Sequence, residues 1–243
     1  MGWSDEEEQR AIREFFGGNL QESARAAECA LVARCKVMDP SSPEVCGLTE
    51  ALLKVYNMMA LAGLEQGTLQ GTLEVLQKAQ YLCLRYADAT GLPEEAALER
   101  TRLRVVTLSN LGCCLSRMGR RRAALTCCDE ALRASHTMDG PGARGVRLEL
   151  AAGAHLNMSA TLCQLGQYRM GLSHATAAKQ NVEEALSLES HADDADHGAA
   201  RLAGLRLIAL YNMAVEYQHM GVGPRGGGQR TPRGDPHRHA PVA

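Results

Sequence analysis

The chain has 243 residues, a formal charge of −2, nine cysteines and only 4% aromatics. That length supports either one large core or a short array of stacked units. No run of eighteen apolar residues occurs, so no membrane span is expected. From Val222 onward the charge is +3 and the preceding body carries −5, which leaves no basic footprint for nucleic acid.

The start, Met1-Gly-Trp-Ser-Asp-Glu-Glu-Glu8, is acidic and lacks the apolar stretch of a signal peptide. Ser4 with Glu7 reads as a capping box that opens a helix over 4–16, ended by Gly17-Gly18. Apolar residues recur at helical spacing from there to Met220, without sustained period-two alternation and without an Asn-Gly hairpin. A second helix, 19–37, runs to Asp39-Pro40. Ser42-Pro43-Glu44 starts 43–65, with serine as N-cap and proline in the first turn. Helix 68–89 leads to the break at Gly91-Leu92-Pro93. Helices 94–118 and 121–137 precede Asp139-Gly140-Pro141-Gly142, and 145–165 and 168–189 precede a polar break from His191 to Gly198. Helix 198–220 is the last. The Gly/Pro/Arg-rich segment 222–243 has no apolar period and is expected to be a disordered tail behind a repeat domain of residues 1–221.

A repeat underlies this order. Gly18, Gly67, Gly119 and Gly166 are each followed five residues later by a small side chain (Ser23, Thr72, Ala124, Gly171) and twelve residues later by alanine (Ala30, Ala79, Ala131, Ala178). At nine residues stand Ala27, Leu76, Cys128 and Ala175. The glycine closes a turn and the small residues let a second helix pack closely on the first, so about nine helices pair as antiparallel hairpins, the last hairpin having only its first helix. Upstream, Asn110, Asn157 and Asn212 each stand nine residues before a turn glycine (Gly119, Gly166, Gly221). Asn57 stands ten before Gly67, which implies a bulge or a shifted turn there.

Asn110-Leu111-Gly112, Leu115, Gly119, Ala124 and Ala131 resemble the tetratricopeptide repeat, and the copies around Gly166 and Gly221 are similar. The match around Gly67 is looser, and around Gly18 it is confined to the second helix. The asparagines are 53, 47 and 55 residues apart, longer than the family's usual period of about 34. Long repeats with an asparagine on each first helix look most like kinesin light chains and spindle-orientation adaptors. The resemblance implies an all-α, right-handed superhelical solenoid whose first helices line a concave groove that takes an extended peptide.

On that reading Asn57, Asn110, Asn157 and Asn212 form a ladder along the groove, each amide offering donor and acceptor to a peptide backbone. The competing reading is that the asparagine merely bridges neighbouring helices; both roles can coexist in one amide. One step before the asparagines stand Tyr56, Ser109, Leu156 and Tyr211, three after stand Ala60, Cys113, Ala160 and Val215, and four before stand Leu53, Val106, Gly153 and Ile208. This floor is mostly apolar and lacks the Lys and Arg with which chaperone-binding members clamp a terminal carboxylate, so a ligand with apolar side chains is expected.

Cys113-Cys114 and Cys127-Cys128 lie on the two helices of one hairpin, but adjacent cysteines point about 100° apart on a helix, and no Cys-x-x-Cys occurs, so they read as core filler. His191-Ala-Asp-Asp-Ala-Asp-His197 reads as a solvated acidic linker. No His-Glu-x-x-His, Walker loop or nucleophile–base–orienter set is present, so neither metal, cofactor nor enzyme activity is expected. Nine cysteines without a secretory signal suggest a reducing, cytoplasmic setting. The expectation is therefore a protein-binding scaffold or adaptor with no nucleic-acid or membrane partner. The alternatives are an oligomerising subunit of a larger cytoskeletal or ciliary assembly and an accessory domain of an enzyme. Leu207, Met213 and Tyr217 on the final, unpaired helix form an apolar strip expected to self-associate or to accept a partner helix.

Overall fold

The computed structural model describes residues 2–86, 94–140, 142–189 and 196–221. Among the described residues there are nine helices and no strand: α1 (Gly2–Phe16), α2 (Leu20–Arg34), α3 (Pro43–Gln66), α4 (Leu69–Arg85), α5 (Glu94–Arg117), α6 (Arg121–His136), α7 (Ala143–Gln164), α8 (Tyr168–Glu189) and α9 (Asp196–His219). The breaks at Gly91–Pro93 and Pro141, most of His191–Gly198 and the segment 222–243 lie outside the described residues.

The helix ends follow local chemistry. Ser42 is extended (φ −62°, ψ 145°) and its hydroxyl accepts from the Val45 amide at 3.4 Å, with Pro43 in the first turn of α3. Asn19 caps α2 by accepting from the Glu22 amide at 3.5 Å. Helix α1 starts at Gly2, so Ser4 sits inside its first turn and does not open it. Helix α2 stops at Arg34, short of residue 37, because the next bonds tighten to three-residue spacing, Lys36 to Ala33 and Val37 to Arg34.

One turn geometry recurs along the chain. Gly18, Gly67, Gly119, Gly166 and Gly221 have φ of 79°, 76°, 79°, 71° and 70°, the left-handed region that side chains resist. In the first four, the glycine amide donates to the carbonyl three residues back, and the next amide donates to the carbonyl four residues before the glycine. These paired bonds satisfy the carbonyls that each helix end leaves open. Gly221 begins in the same way, its amide donating to the Gln218 carbonyl at 3.1 Å.

The small residues behind each glycine are the contact points of the helices. Ala30, Ala79, Ala131 and Ala178 are all fully buried, as are Leu76, Ala124, Cys128 and Ala175. Gly112 shows how close the approach is: a Cβ there would stand 2.5 Å from Cys128 Sγ and 3.2 Å from the Ala124 carbonyl oxygen. Such spacing brings two helix backbones together only where one side offers no side chain. The desolvation of this contact pushes the Cys128 thiol up to about 12 and Cys127 up to about 11, so both remain protonated hydrophobes at neutral pH.

Hairpins α1–α2, α3–α4, α5–α6 and α7–α8 stack in chain order, each second helix packing on the following first helix. First helices also pack on one another (α3 on α5, α5 on α7, α7 on α9), whereas the second helices form no such series. The first helices therefore make the shorter, inner side of the stack. Helix α3 is long and apolar enough to cross a membrane by composition, but it lies in the stack, with Leu52, Leu53, Val55 and Leu64 buried against its neighbours.

Candidate functional site

The turn glycines provide a common origin for the inner face. Six residues before them stand Ile12, Leu61, Cys113, Ala160 and Val215, one apolar side chain from each first helix. Ile12, Leu61 and Ala160 are exposed, and Cys113 and Val215 are half-buried. Nine residues before the glycines stand Gln9, Met58, Asn110, Asn157 and Asn212, all exposed or half-buried. Thirteen before stand Asp5, Lys54, Val106, Gly153 and Ile208, also accessible. Spacings of three and four residues put these positions on one side of each helix. The inner face is thus an apolar row flanked by amides, with scattered and unlike charges.

Asn57 does not belong to that face. Helix α3 is unbroken and its turn carries the same bonds as the others, so neither a bulge nor a shifted turn absorbs the extra residue. One residue is about 100° of helix, and Asn57 is rotated inward by that amount, equivalent to Ser109 and not to Asn110. It is 5% exposed. Its Nδ2 donates to the Leu53 carbonyl and to Thr107 Oγ1, both at 2.9 Å, and its Oδ1 accepts from Asn110 Nδ2 at 2.9 Å. Asn57 therefore bridges α3 to α5. Met58, which is exposed, occupies the asparagine position of this repeat.

Asn110 and Asn157 are half-buried. Asn110 gives one amide hydrogen to Asn57, and Asn157 Nδ2 donates to the Ser109 carbonyl at 3.3 Å, so each ties its helix to the preceding first helix. An amide holds two hydrogens and an acceptor oxygen, which leaves capacity on the accessible side. Asn212 is half-buried on α9. Tyr56 is buried, and its hydroxyl donates to Glu28; burial, reinforced by that carboxylate, pushes the phenol well above its usual range. It is a structural side chain between α2 and α3. Tyr211, one step before Asn212, is exposed.

At the N-terminal end the row opens into a cleft of about 270 Å³ between α1, α2 and α3. Ala11, Ile12, Phe15, Phe16, Ala51 and Val55 line it, with Glu8 and Lys54 also on its wall. Phe16 is 83% exposed. The asparagine pattern does not single out Ile12, Met58 or Leu61, which counting back from the glycines finds, nor Phe16, which only the cleft reveals.

On α9, Leu207 and Tyr217 are exposed, while Met213 is half-buried toward the stack. The exposed apolar strip runs instead through Leu210 and Ala214. Among the described residues no three His, Cys, Asp or Glu side chains gather into a metal-holding group.

Antiparallel helix hairpins closed by one glycine turn, stacked with their first helices in mutual contact, define a tetratricopeptide-like helical-repeat solenoid. Among solved structures the chain is similar to two crystal structures of the TPR-like repeats of a kinesin light chain from Podosopora anserina. One, of a form carrying a point substitution, is 14% identical with a TM-score of 0.41, covering 89% of this chain and 86% of that one. The other is 14% identical with a TM-score of 0.42, covering 91% and 90%. No protein-family model matches the sequence, and no curated protein matches it.

Proposed function

We propose that the chain is a non-enzymatic scaffold or adaptor that holds a partner peptide or helix against the inner face of the solenoid. The observation that carries this reading is the apolar row Ile12, Leu61, Cys113, Ala160, Val215, which keeps one accessible apolar side chain per first helix although each has a buried neighbour in sequence. A rigid face of repeated apolar positions binds by burying the partner's side chains, and little ordering entropy is lost on the receptor. Asn110 and Asn157 flank the row and would pair with the partner's backbone through what their bridging bonds leave over. The apolar cleft at Phe16 and Ala51 would take a larger side chain at one end. The cysteines in the described helices are all free thiols, which supports a reducing, cytoplasmic location, and cytoskeletal or ciliary association within it is part of the same proposal.

The test is selection of ligands from a displayed random-peptide library on the full chain, followed by titration of the best binder. Leu61→Glu with Ala160→Glu places two charges on the row at exposed positions that the fold does not use. The expected result is binders rich in apolar residues and at least a tenfold loss in the double variant, about 1.4 kcal/mol. Unchanged affinity in the double variant would remove the row as the binding surface.

A further inference from the structure

Helix α9 carries a second apolar strip, on a different side from the inner face. Ala200, Ala203, Leu207, Leu210, Ala214 and Tyr217 are all exposed, and their spacing alternates three and four residues. That is the seam of a two-helix coiled coil. Leu207 is 69% exposed.

The other repeats show what this face is for. Counted from the turn glycines, Leu207 corresponds to Ala152 in α7, Val105 in α5 and Leu53 in α3, all buried. Tyr217 corresponds to Leu162, Leu115 and Gly63, again buried. Ala214 corresponds to Ser159, Gly112 and Ala60, buried as well. In each earlier repeat this side is covered by the second helix of the hairpin and by the next first helix. After Gly221 the sequence places Gly226, Arg230 and Arg233 at the five-, nine- and twelve-residue positions and includes Pro224 and Pro232, so it does not repeat the second-helix pattern.

The strip is complementary to itself. Two copies of α9 laid antiparallel about the midpoint between Ile208 and Ala209 set Leu207 against Leu210 of the other copy, Ala203 against Ala214, and Ala200 against Tyr217. Each large residue of the outer pair meets a small one, the two leucines meet at the centre, and the alanine pairs let the backbones come close. Antiparallel coiled coils pack one seam position against the other kind in this way. A patch that fits itself under a two-fold rotation is the requirement for an isologous dimer.

We infer that α9 is a homodimerisation helix, each copy's α9 covering the strip that no described helix of the other copy's own chain covers. The dimer is closed, and it leaves the inner-face positions Ile208, Asn212 and Val215 of α9 on a different side from the seam, so two grooves remain available in one particle.

The experiment is sedimentation equilibrium of the full 243-residue chain, 26.2 kDa as a monomer, over concentrations up to about 100 µM. Two variants accompany it, Ala203→Glu with Ala214→Glu and Ala203→Glu with Ala214→Lys, and circular dichroism checks that each stays helical. Both sites are exposed in the monomer, so the fold tolerates either change. The expected result is a dimer for the parent, at least a thirtyfold weaker dimer for the Glu/Glu variant, in which like charges meet twice, and recovery of most of that loss in the Glu/Lys variant, in which opposite charges meet twice. A monomeric parent overturns the inference. So does a Glu/Glu variant that dimerises like the parent, which would put the contact elsewhere. A Glu/Lys variant as weak as Glu/Glu would exclude the antiparallel register.

Discussion

Gly112→Ala is the sharpest probe of how the hairpins are built. A methyl at this position would stand 2.5 Å from Cys128 Sγ, where about 3.8 Å is comfortable, and 3.2 Å from the Ala124 carbonyl oxygen. Cys128 is fully buried, so its sulfur has no free space to move into. In an exposed helix the same change would stabilise by about 1 kcal/mol through helix propensity. Overpacking costs about 1–3 kcal/mol, so the net change is a destabilisation of about 0–2 kcal/mol. Cys128→Ala alone removes a buried sulfur and costs about 1–2 kcal/mol. Combined, the two substitutions trade one group for another in the same space, and the double variant should sit close to the parent. Urea unfolding of the four proteins reads a favourable coupling of about 1–4 kcal/mol, the sum of the two single costs. Additive effects, or a Gly112→Ala variant more stable than the parent, would mean that α5 and α6 do not meet at these residues.

Three further outcomes follow from buried polar groups. Asn57→Ala should cost about 1–3 kcal/mol in urea unfolding, because it strips partners from Thr107 and Asn110 between α3 and α5; a parental midpoint would show that the bridge is not made. His155 packs against His174, their Nδ1 atoms 2.9 Å apart, and burial with two neighbouring imidazoles holds His155 down at about 4. The unfolded imidazole titrates near 6.5, so the unfolded state takes up the proton first, and stability present above that value is lost as pH falls toward 4. Discounted for partial exposure, the loss between pH 7 and 5 is on the order of 1 kcal/mol, and His155→Gln should flatten that part of the pH–stability curve. Glu216 is buried with Oε2 unpaired, and burial raises its carboxyl. A raised folded value means stability is lost as pH rises through it, so Glu216→Gln should stabilise the fold in urea unfolding more at pH 8 than at pH 5, by about 1–2 kcal/mol; a loss of stability at pH 8 would show that the contacts with Cys163 and His219 outweigh the cost of burial.

The fold is legible because its signals are backbone requirements. A left-handed turn calls for glycine, and a close helix crossing calls for a small residue at fixed offsets; Gly119, Ala124 and Ala131 meet both demands. The helix boundaries drift where competing local bonds decide the end, as at Arg34, or where a cap motif lies within a longer helix, as at Ser4. The inner face is harder to read. Asn57 has the right identity and neighbours, but in an unbroken helix one residue of offset turns it from the groove into the core. The apolar row escapes a motif search because Ile12, Leu61, Cys113, Ala160 and Val215 share a property and a position without sharing an identity. Composition puts Met213 in the exposed strip of α9, whereas the side on which α9 meets the stack depends on Leu202, Ala209 and Glu216, which only the packing reveals.

Methyl-resolved NMR of the full chain, titrated with the tightest peptide from the library selection, tests groove binding most directly. The shifts should concentrate on Ile12, Leu61, Ala160 and Val215 along the first helices, leaving Val32, Leu84 and Leu188, exposed on the second helices, unchanged. Shifts centred on those second-helix methyls, with the inner row silent, would place the partner on the outer surface and contradict the account.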